Sequence, residues 1–158
     1  MSKIHNILVI CSGNTARSPA AEYLGKFYAK KYNVDLKFDS AGFFNAFSYM
    51  QPESQEYLKS KGINPSGFNP KVIDKHLLEK QDLIITMEEY HAEQIRNNFK
   101  NIPHISEKTY TLKEFNGEQG DIIDPYYTNR TTYLKVMKEL DKYIEKLVEK
   151  VVEMNKKH

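Results

Sequence analysis

The sequence predicts an α/β protein in which a parallel sheet is covered by helices, and two observations lead to this prediction. Short apolar runs alternate along the chain with amphipathic helical stretches, which is the pattern of βαβ units. The first and third of these runs are apolar throughout, as expected for strands that are buried on both faces. With 158 residues the chain is long enough to bury a substantial core, and we expect residues 1–158 to form a single domain.

The spacing of the apolar residues predicts the individual strands and helices. The predicted strands are residues 6–10, 36–39, 83–86 and a short segment near 103–105. The predicted helices are residues 18–32, 52–61, 74–80, 88–99 and about 131–154. At the first helix, Ser18 is a suitable N-cap and Pro19 fits the first helical position. The last helix has an apolar stripe from Tyr133 to Val151 and closes the domain.

The only cysteine of the chain, Cys11, lies between the first predicted strand and the first predicted helix. In parallel sheets, ligands bind at this end of the strands. The partial positive charge and the free N–H groups of a helix N-terminus favour a thiolate here. The same N–H groups and the guanidinium of Arg17 suit the oxygens of a phosphoryl group, and Gly13 lets the backbone curl around an anion. A lone cysteine is most often a small buried hydrophobe, but this context favours a phosphate-handling site.

A thiolate that displaces an ester oxygen needs a general acid on the opposite side of the phosphoryl group. Asp124 is the candidate, because Pro125 restricts it to extended geometry. Tyr126 and Tyr127, which follow, would provide flat walls for an aromatic leaving group. An equally good interpretation of the local sequence is that Asp124 only caps the last helix. Asp121 is better explained by such a structural role, and we leave it out of the site.

Composition argues against several other classes of function. The net charge is +2 and the lysines are spread among carboxylates, so no nucleic-acid partner is expected. One cysteine allows no internal disulfide, and the five histidines lack the spacing of metal ligands, so we expect neither a metal nor a cofactor. No membrane span and no signal peptide are predicted. The expected compartment is the cytoplasm, where a reactive thiol stays reduced.

Several motifs resemble those of the low-molecular-weight protein tyrosine phosphatases, and the likeness covers almost the whole chain. They are Cys-x-Gly-Asn-x-x-Arg-Ser-Pro at 11–19, Asp-Ser-Ala-Gly at 39–42, Asp-Leu-Ile-Ile-Thr-Met at 82–87, Thr-Leu-Lys-Glu at 111–114 and Asp-Pro-Tyr-Tyr at 124–127. The resemblance implies a three-layer domain with a four-stranded parallel sheet flanked by helices, no metal, and a cysteinyl-phosphate intermediate. It also implies phosphorylated proteins or peptides as substrates, and we expect a monomer.

The resemblance also implies a role for each residue of the first and last motifs. By this resemblance, Cys11 corresponds to the nucleophile of the family and Arg17 to its phosphate clamp. Asp124 corresponds to the acid that protonates the leaving group and then helps to activate water. The other residues expected to bind phosphate or substrate are Ser12, Gly13, Asn14, Thr15, Ala16, Ser18, Tyr126 and Tyr127.

Two of these loop residues are expected to act behind the phosphate. Ser18 corresponds to the hydroxyl that hydrogen-bonds the thiolate, and Asn14 to the residue that locks the loop, with Ser40 as its expected partner. The family often places a histidine in the loop before the third strand, but this chain has none around residues 67–68. Many relatives have a second cysteine at the position of Ala16, so the reversible protective disulfide is missing here and Cys11 is more exposed to irreversible oxidation.

The motifs leave two substrates open. Thr15 resembles the bacterial protein-arginine phosphatases of the same superfamily, whereas Tyr126 and Tyr127 follow the tyrosine-phosphatase pattern; we favour phosphotyrosine. Aromatic residues between 43 and 49 are expected either to form the facing wall of the cleft or to pack against the sheet edge. A less favoured alternative is a cysteine-phosphorylated phosphocarrier, which needs neither Asp124 nor Arg17.

Overall fold

The computed structural model describes residues 3–158, and the strands in this range form one parallel sheet. The strands are β1 (Asn6–Cys11), β2 (Lys37–Gly42), β3 (Leu83–Thr86) and β4 (Thr109–Thr111). The helices are α1 (Arg17–Lys31), α2 (Pro52–Ser60), α3 (Lys75–Glu79), α4 (Glu89–Asn98), α5 (Leu112–Phe115) and α6 (Arg130–Asn155). The predicted fold class, a four-stranded parallel sheet flanked by helices, is confirmed. Over residues 3–158, no helix has both the length and the apolar character needed to cross a membrane.

The order of the strands places one strand end at a special position. The strands lie in the order β2-β1-β3-β4, so β1 has β2 on one side and β3 on the other. The chain leaves β1 toward one neighbour and later returns on its other side, which makes the carboxyl end of β1 a topological switch point. Cys11 is the last residue of β1 and therefore lies at this point.

Alternate side chains of β1 enter two different hydrophobic cores. Ile7 and Val9 belong to the core that is shared with α1, α2, α5 and α6. Leu8 and Ile10 belong to the core that is shared with α3 and α4. The sheet is therefore covered on both faces, which explains why β1 is apolar from Ile7 to Ile10.

The prediction of a strand near residues 103–105 is wrong, because the fourth strand is Thr109–Thr111. The apolar residues Ile102 and Ile105 instead enter the core from a run of turns. The true strand contains two buried threonines whose hydroxyls find partners nearby. Thr109 Oγ1 donates to the carbonyl of Ile105 at 2.7 Å, and Thr111 forms a capping box with Glu114 at the start of α5. A buried strand with satisfied hydroxyls does not look apolar in the sequence.

The predicted N-cap of α1 is also wrong. The helix begins at Arg17, its N-cap position is Ala16, and no side chain caps it. Ser18 is the second helical residue and Pro19 the third. The Ser18 hydroxyl lies 2.9 Å from the sulfur of Cys11, so it serves the cysteine rather than the helix end.

Candidate active site

Cys11 and the loop that follows it line a cavity of about 350 Å³ at the switch point. Cys11 itself is buried beside the apolar core, but it also faces this cavity, so packing alone does not describe its position. Of the predicted site residues, the cavity is lined by Cys11, Ser12, Gly13, Thr15, Ala16, Arg17, Asp124, Tyr126 and Tyr127. The two remaining ones, Asn14 and Ser18, are fully buried behind the loop.

The carbonyl groups of the loop are held by the segment 43–54, which lies next to it. The carbonyl of Ser12 accepts a hydrogen bond from the amide of Phe43 at 2.7 Å. The carbonyl of Thr15 accepts one from the amide of Gln51 at 2.8 Å, and that of Ala16 accepts one from the hydroxyl of Ser54 at 3.0 Å. These bonds fix the loop through its oxygen atoms and leave its N–H groups free.

The N–H groups of the same loop have no acceptor of their own. Within residues 3–158, none of the backbone amides from Ser12 to Arg17 donates a hydrogen bond to another part of the chain. A curl of free backbone N–H groups next to a helix N-terminus forms a concave site that attracts anions. This loop therefore has the electrostatic character required to hold a phosphoryl group.

Asn14 is the brace that holds Ser18 against the cysteine. Asn14 adopts the left-handed backbone region with φ of 54°, which asparagine tolerates better than most residues. Its Oδ1 accepts from the amide of Lys71 at 3.0 Å, so its Nδ2 must be the atom that donates to Ser18 Oγ at 2.8 Å. Because Ser18 Oγ accepts there, its own proton can be donated to one of two acceptors, the sulfur of Cys11 at 2.9 Å or the carbonyl of Ala41 at 3.4 Å, and a thiolate at Cys11 is the closer and stronger one. The predicted partner Ser40 is wrong, since its hydroxyl donates to Glu22 instead.

The amide of Lys71 explains how the loop is braced without the usual histidine. A backbone N–H supplies the donor that holds Asn14 Oδ1, and it comes from the segment before β3. No side-chain motif at that position is needed, which is why sequence comparison with the family gave no sign of it. The donor to Asn14 Oδ1 is a backbone amide, so it depends on the path of the chain and not on the residue type at position 71.

Arg17 is buried and fixed by two acceptors from distant parts of the chain. Its side chain is 1% exposed, and its Nη1 donates to Glu88 Oε2 at 2.6 Å and to the carbonyl of Ile122 at 2.7 Å. Its other terminal nitrogen, Nη2, lies 3.8 Å from Asp124 Oδ2 and 3.5 Å from Ser12 Oγ. One side of the guanidinium is thus anchored, and the other side faces the cavity.

Asp124 lies at the mouth of the cavity on the same side as Arg17. Its side chain is 49% exposed, and its Oδ1 accepts from the amide of Tyr126 at 3.0 Å. The alternative that Asp124 caps α6 is wrong, because Asn129 occupies that position and accepts from the amide of Thr132 at 2.8 Å. Asp121 has the structural role expected for it, since it accepts from the amide of Glu89 at the start of α4.

Aromatic side chains form the mouth of the cavity. Phe44, Phe47, Tyr126 and Tyr127 all contribute to its lining, and the rings of Phe47 and Tyr126 meet edge to face at 5.4 Å. Phe43, in contrast, packs against the core of α3 and α4. Both interpretations of the aromatic segment therefore hold, each for different residues: Phe44 and Phe47 face the cleft, and Phe43 packs.

Two residues of the site were missed by the sequence analysis. Glu88 holds Arg17, and His91 lies 3.0 Å from Ser12 Oγ through its Nε2. Both come from the N-terminal end of α4, whose start beside the loop is set by the pairing of β3 with β1. Their position just after a buried strand that neighbours β1 is the one signal that would have indicated them.

Comparison with known proteins shows which family the chain belongs to. The sequence model of the family described as low molecular weight phosphotyrosine protein phosphatase matches residues 6–157. The chain is 34% identical to the low molecular weight protein-tyrosine-phosphatase PtpB of Staphylococcus haemolyticus, over 89% of this chain and 96% of that protein. It is 30% identical to the protein-arginine-phosphatase of Bacillus subtilis, over 92% of this chain and 96% of that protein.

Among solved structures, the chain is similar to a cysteine-to-serine mutant of the YwlE arginine phosphatase with a phosphorylated active-site serine. The TM-score is 0.85 at 29% identity, and the alignment covers 92% of this chain and 94% of the other. The matched sequence family and the fold thus agree over nearly the full length of the chain. The chain belongs to the low molecular weight phosphotyrosine protein phosphatase family.

Proposed function

We propose that this phosphatase hydrolyses phosphotyrosine in proteins, with Cys11 as nucleophile, Arg17 as phosphate clamp and Asp124 as general acid and base. One observation carries the proposal: a single cavity is lined by the sulfur-bearing residue, the anchored guanidinium and a carboxylate, above a loop whose amides are free. The family assignment supports the same chemistry.

In the first step, the thiolate of Cys11 attacks phosphorus and the bond to the ester oxygen breaks. The leaving oxygen takes the bonding electron pair and a proton from Asp124, so that a phenol departs and a cysteinyl phosphate remains. Before attack, the Ser18 hydroxyl donates a hydrogen bond to the thiolate and keeps its proton, since its oxygen already accepts a hydrogen bond from Asn14. This hydrogen bond stabilises the sulfur as an anion.

In the second step, water attacks phosphorus and the bond to sulfur breaks. The carboxylate of Asp124 takes a proton from this water, and Cys11 leaves as a thiolate while inorganic phosphate forms. Both steps build negative charge on the three equatorial oxygens of phosphorus. The free amides from Ser12 to Arg17 and the Arg17 guanidinium are placed to stabilise that charge, and one such donor typically changes the rate by about 10²–10³-fold.

The aromatic mouth favours phosphotyrosine as the substrate. Phe44, Phe47 and Tyr126 surround the space that a leaving group would occupy above the loop. Aromatic rings pack well against such walls in offset or edge-to-face arrangements. A phenol ring fits this environment better than a hydrophilic alkyl group does.

Phosphoarginine is the second candidate, and Thr15 is the observation that favours it. Thr15 is nearly buried and lines the cavity, so its hydroxyl would face the leaving group. A relative named as a protein-arginine-phosphatase and one named as a protein-tyrosine-phosphatase match the chain at similar identity. Measuring kcat/KM on phosphotyrosine and phosphoarginine peptides, in the wild type and in Thr15→Ile, separates the candidates.

Under the tyrosine proposal, the wild type prefers phosphotyrosine and Thr15→Ile keeps that preference. Under the arginine proposal, the wild type prefers phosphoarginine and Thr15→Ile shifts toward phosphotyrosine. Thr131→Ile provides the matched control, because Thr131 is exposed on α6 and does not line the cavity. It should leave the preference unchanged in either case.

The nucleophile is tested by Cys11→Ser. In an assay without added metal, this variant should no longer hydrolyse an aryl phosphate. It should still bind phosphate analogues, because the loop amides and Arg17 remain. Retention of hydrolysis would remove Cys11 from the mechanism. A long-lived phosphorylated Cys11 in wild-type protein without phosphatase activity would favour the phosphocarrier alternative.

A further inference from the structure

His91 is a buried histidine that contacts the loop after Cys11, residues 12–17 (the phosphate loop of the proposed function), in two ways. It is the third residue of α4, is only 2% exposed, and its Nε2 lies 3.0 Å from Ser12 Oγ. Its ring stacks on Phe43 with centroids 5.3 Å apart. Phe43 in turn donates its amide proton to the carbonyl of Ser12 at 2.7 Å. His91 thus contacts Ser12 directly and also through the residue that anchors it.

The other ring nitrogen of His91 has no partner within residues 3–158 and is buried. A neutral imidazole has one N–H, and its position is set by the hydrogen bonds available. A proton on Nδ1 would be a buried donor without an acceptor, which costs about 1–3 kcal/mol. With the proton on Nε2, this N–H donates to Ser12 Oγ, and Nδ1 keeps only a lone pair that no donor uses. The surroundings therefore select the tautomer with the proton on Nε2.

Burial keeps the His91 ring neutral in spite of the carboxylates around it. Burial lowers its pKa below the ordinary value, and Arg17 lowers it further, while Glu88, Asp121 and Asp124 act in the opposite direction. Glu88 Oε2 is 3.9 Å from His91 Nε2 but is already engaged by Arg17. A second proton on the ring would have to sit on Nδ1, which finds no acceptor in the described part of the chain. Near neutral pH the ring is therefore a single N–H donor.

The tautomer of His91 determines which way the Ser12 hydroxyl points. Ser12 Oγ accepts a hydrogen bond from the Nε2–H of His91 and also lies 3.5 Å from the donor Nη2 of Arg17. With its lone pairs facing two donors, the hydroxyl must direct its own proton elsewhere. Ser12 lines the cavity, so this direction is open to an anion held by the loop.

We infer that His91 is a positioning residue that fixes the Ser12 hydroxyl as an additional donor to the phosphoryl group. The inference rests on the proposed function, because it requires a phosphoryl group in this cavity. Without His91, the hydroxyl can rotate and present a lone pair to the anion, which replaces an attraction by a repulsion. The effect of His91 on the anion is transmitted through Ser12 alone.

A double-mutant cycle tests this inference. His91→Phe keeps a ring that can stack on Phe43 but removes the donor, Ser12→Ala removes the hydroxyl, and His91→Gln places an amide N–H near the former Nε2. Each of the first two variants should weaken inorganic phosphate binding and lower kcat/KM for p-nitrophenyl phosphate by about three- to tenfold, the value of one hydrogen bond. His91→Gln should recover part of the loss. The double variant should be no worse than Ser12→Ala.

Losses that multiply in the double variant would overturn the inference, because they would mean that His91 acts independently of Ser12. His76→Phe is the matched control, since His76 is exposed on α3, and it should change neither quantity. If phosphate binding follows the prediction but no phosphomonoester is hydrolysed, the proposed function fails while the role of His91 stands. The two failures are therefore distinguishable.

Nitrogen NMR of the histidine rings provides a test that does not depend on the folding of any His91 variant. In wild-type protein, His91 should be neutral with its proton on Nε2 at the pH where the enzyme is assayed. In Ser12→Ala, the Nε2 proton loses its acceptor and should exchange faster with water. A proton on Nδ1, a charged ring, or an Nε2 proton unaffected by Ser12→Ala would each contradict the inference.

Discussion

Arg17 and Glu88 form an ion pair that joins the start of α1 to the start of α4, with Nη1 and Oε2 2.6 Å apart. The arginine is buried and the carboxylate is partly exposed. Arg17 also lies beside the free amides of residues 12–17, and two carboxylates compensate this positive region: Glu88 at 2.6 Å and, more distant, Asp124 at 3.8 Å. The pair therefore links the stability of the fold to the occupancy of the site.

Replacing Glu88 by Gln should destabilise the protein by about 1–3 kcal/mol, because Arg17 is left buried with a weaker partner. Saturating inorganic phosphate should restore part of the loss, since the anion binds the folded state and supplies the missing charge. Denaturant unfolding with and without phosphate measures both effects.

Glu56→Gln is the control, because Glu56 pairs with Arg130 at the same 2.6 Å but on the surface. Its substitution should change the free energy of unfolding little, and phosphate should not alter that change. Equal phosphate effects in the two variants would contradict the prediction.

Asn14→Ala should slow catalysis and destabilise the fold together. It removes the donor to Ser18 and the acceptor for Lys71, and it also places alanine at a positive φ. Asn33 has nearly the same φ, 53°, but is exposed after α1. Asn33→Ala therefore isolates the backbone cost of about 1–2 kcal/mol, and urea unfolding together with kcat measures the remainder. If both variants lost the same stability and neither lost activity, Asn14 would not be a brace.

Asp124→Asn should lower kcat/KM, which reports the step in which the leaving group departs, by about 10²–10⁴-fold for phosphotyrosine peptides, the usual contribution of a general acid. The loss should be smaller for p-nitrophenyl phosphate, because nitrophenolate leaves without needing a proton. Asp121→Asn tests whether any nearby carboxylate has the same effect, since Asp121 binds only the amide of Glu89 at the start of α4. A loss of the same size for both substrates would argue against Asp124 as the acid.

Asp141 joins α6 to α1 and α2 and should make stability depend on acid pH. Burial acts to raise its pKa, but hydrogen bonds from Lys61, Tyr28 and Tyr57 outweigh burial and lower it below the ordinary 3.8. A carboxyl whose pKa is lower in the folded state stabilises the fold above its unfolded pKa, and this stabilisation is lost as the pH falls through the folded value. Asp141→Asn should therefore be less stable than wild type at pH 7, with the difference shrinking below about pH 4.

Unfolding free energies at pH 7 and pH 3 give this comparison directly. Asp35→Asn serves as the control, because Asp35 is exposed and lies only near His5. A difference between wild type and Asp141→Asn that stayed constant with pH would show that Asp141 acts through packing rather than charge.

The parts of the site that are local in sequence, or that belong to a motif of the resembled family such as Asp124-Pro125, were predictable, whereas contacts that depend only on the path of the chain were not. Cys11 and Arg17 sit on one strand-to-helix turn, so spacing alone relates them. Glu88 reaches Arg17 from a segment 71 residues away, and the carbonyl of Ile122 reaches it from 105 residues away. No periodicity encodes such contacts. They follow from the strand order, which sequence pattern alone leaves open.

The same distinction explains the errors in the fold. Most helix positions followed from apolar spacing, because each helix buries one stripe. The strand at Thr109–Thr111 was missed because its threonines satisfy their own hydroxyls and do not need apolar neighbours to be buried. The local pattern placed Ser18 at the helix end because a serine there usually caps, whereas its hydroxyl lies against the sulfur of Cys11, the position that the family resemblance implied.

The bonds from Phe43, Gln51 and Ser54 to the loop carbonyls have a consequence for how this enzyme can diversify. The segment that contributes Phe44 and Phe47 to the cavity wall also holds the loop 12–16 through its carbonyl groups. Insertions or deletions there would alter ligand choice and catalytic geometry at once. New specificities should therefore arise by exchanging side chains on this stretch at constant length, with its main chain preserved.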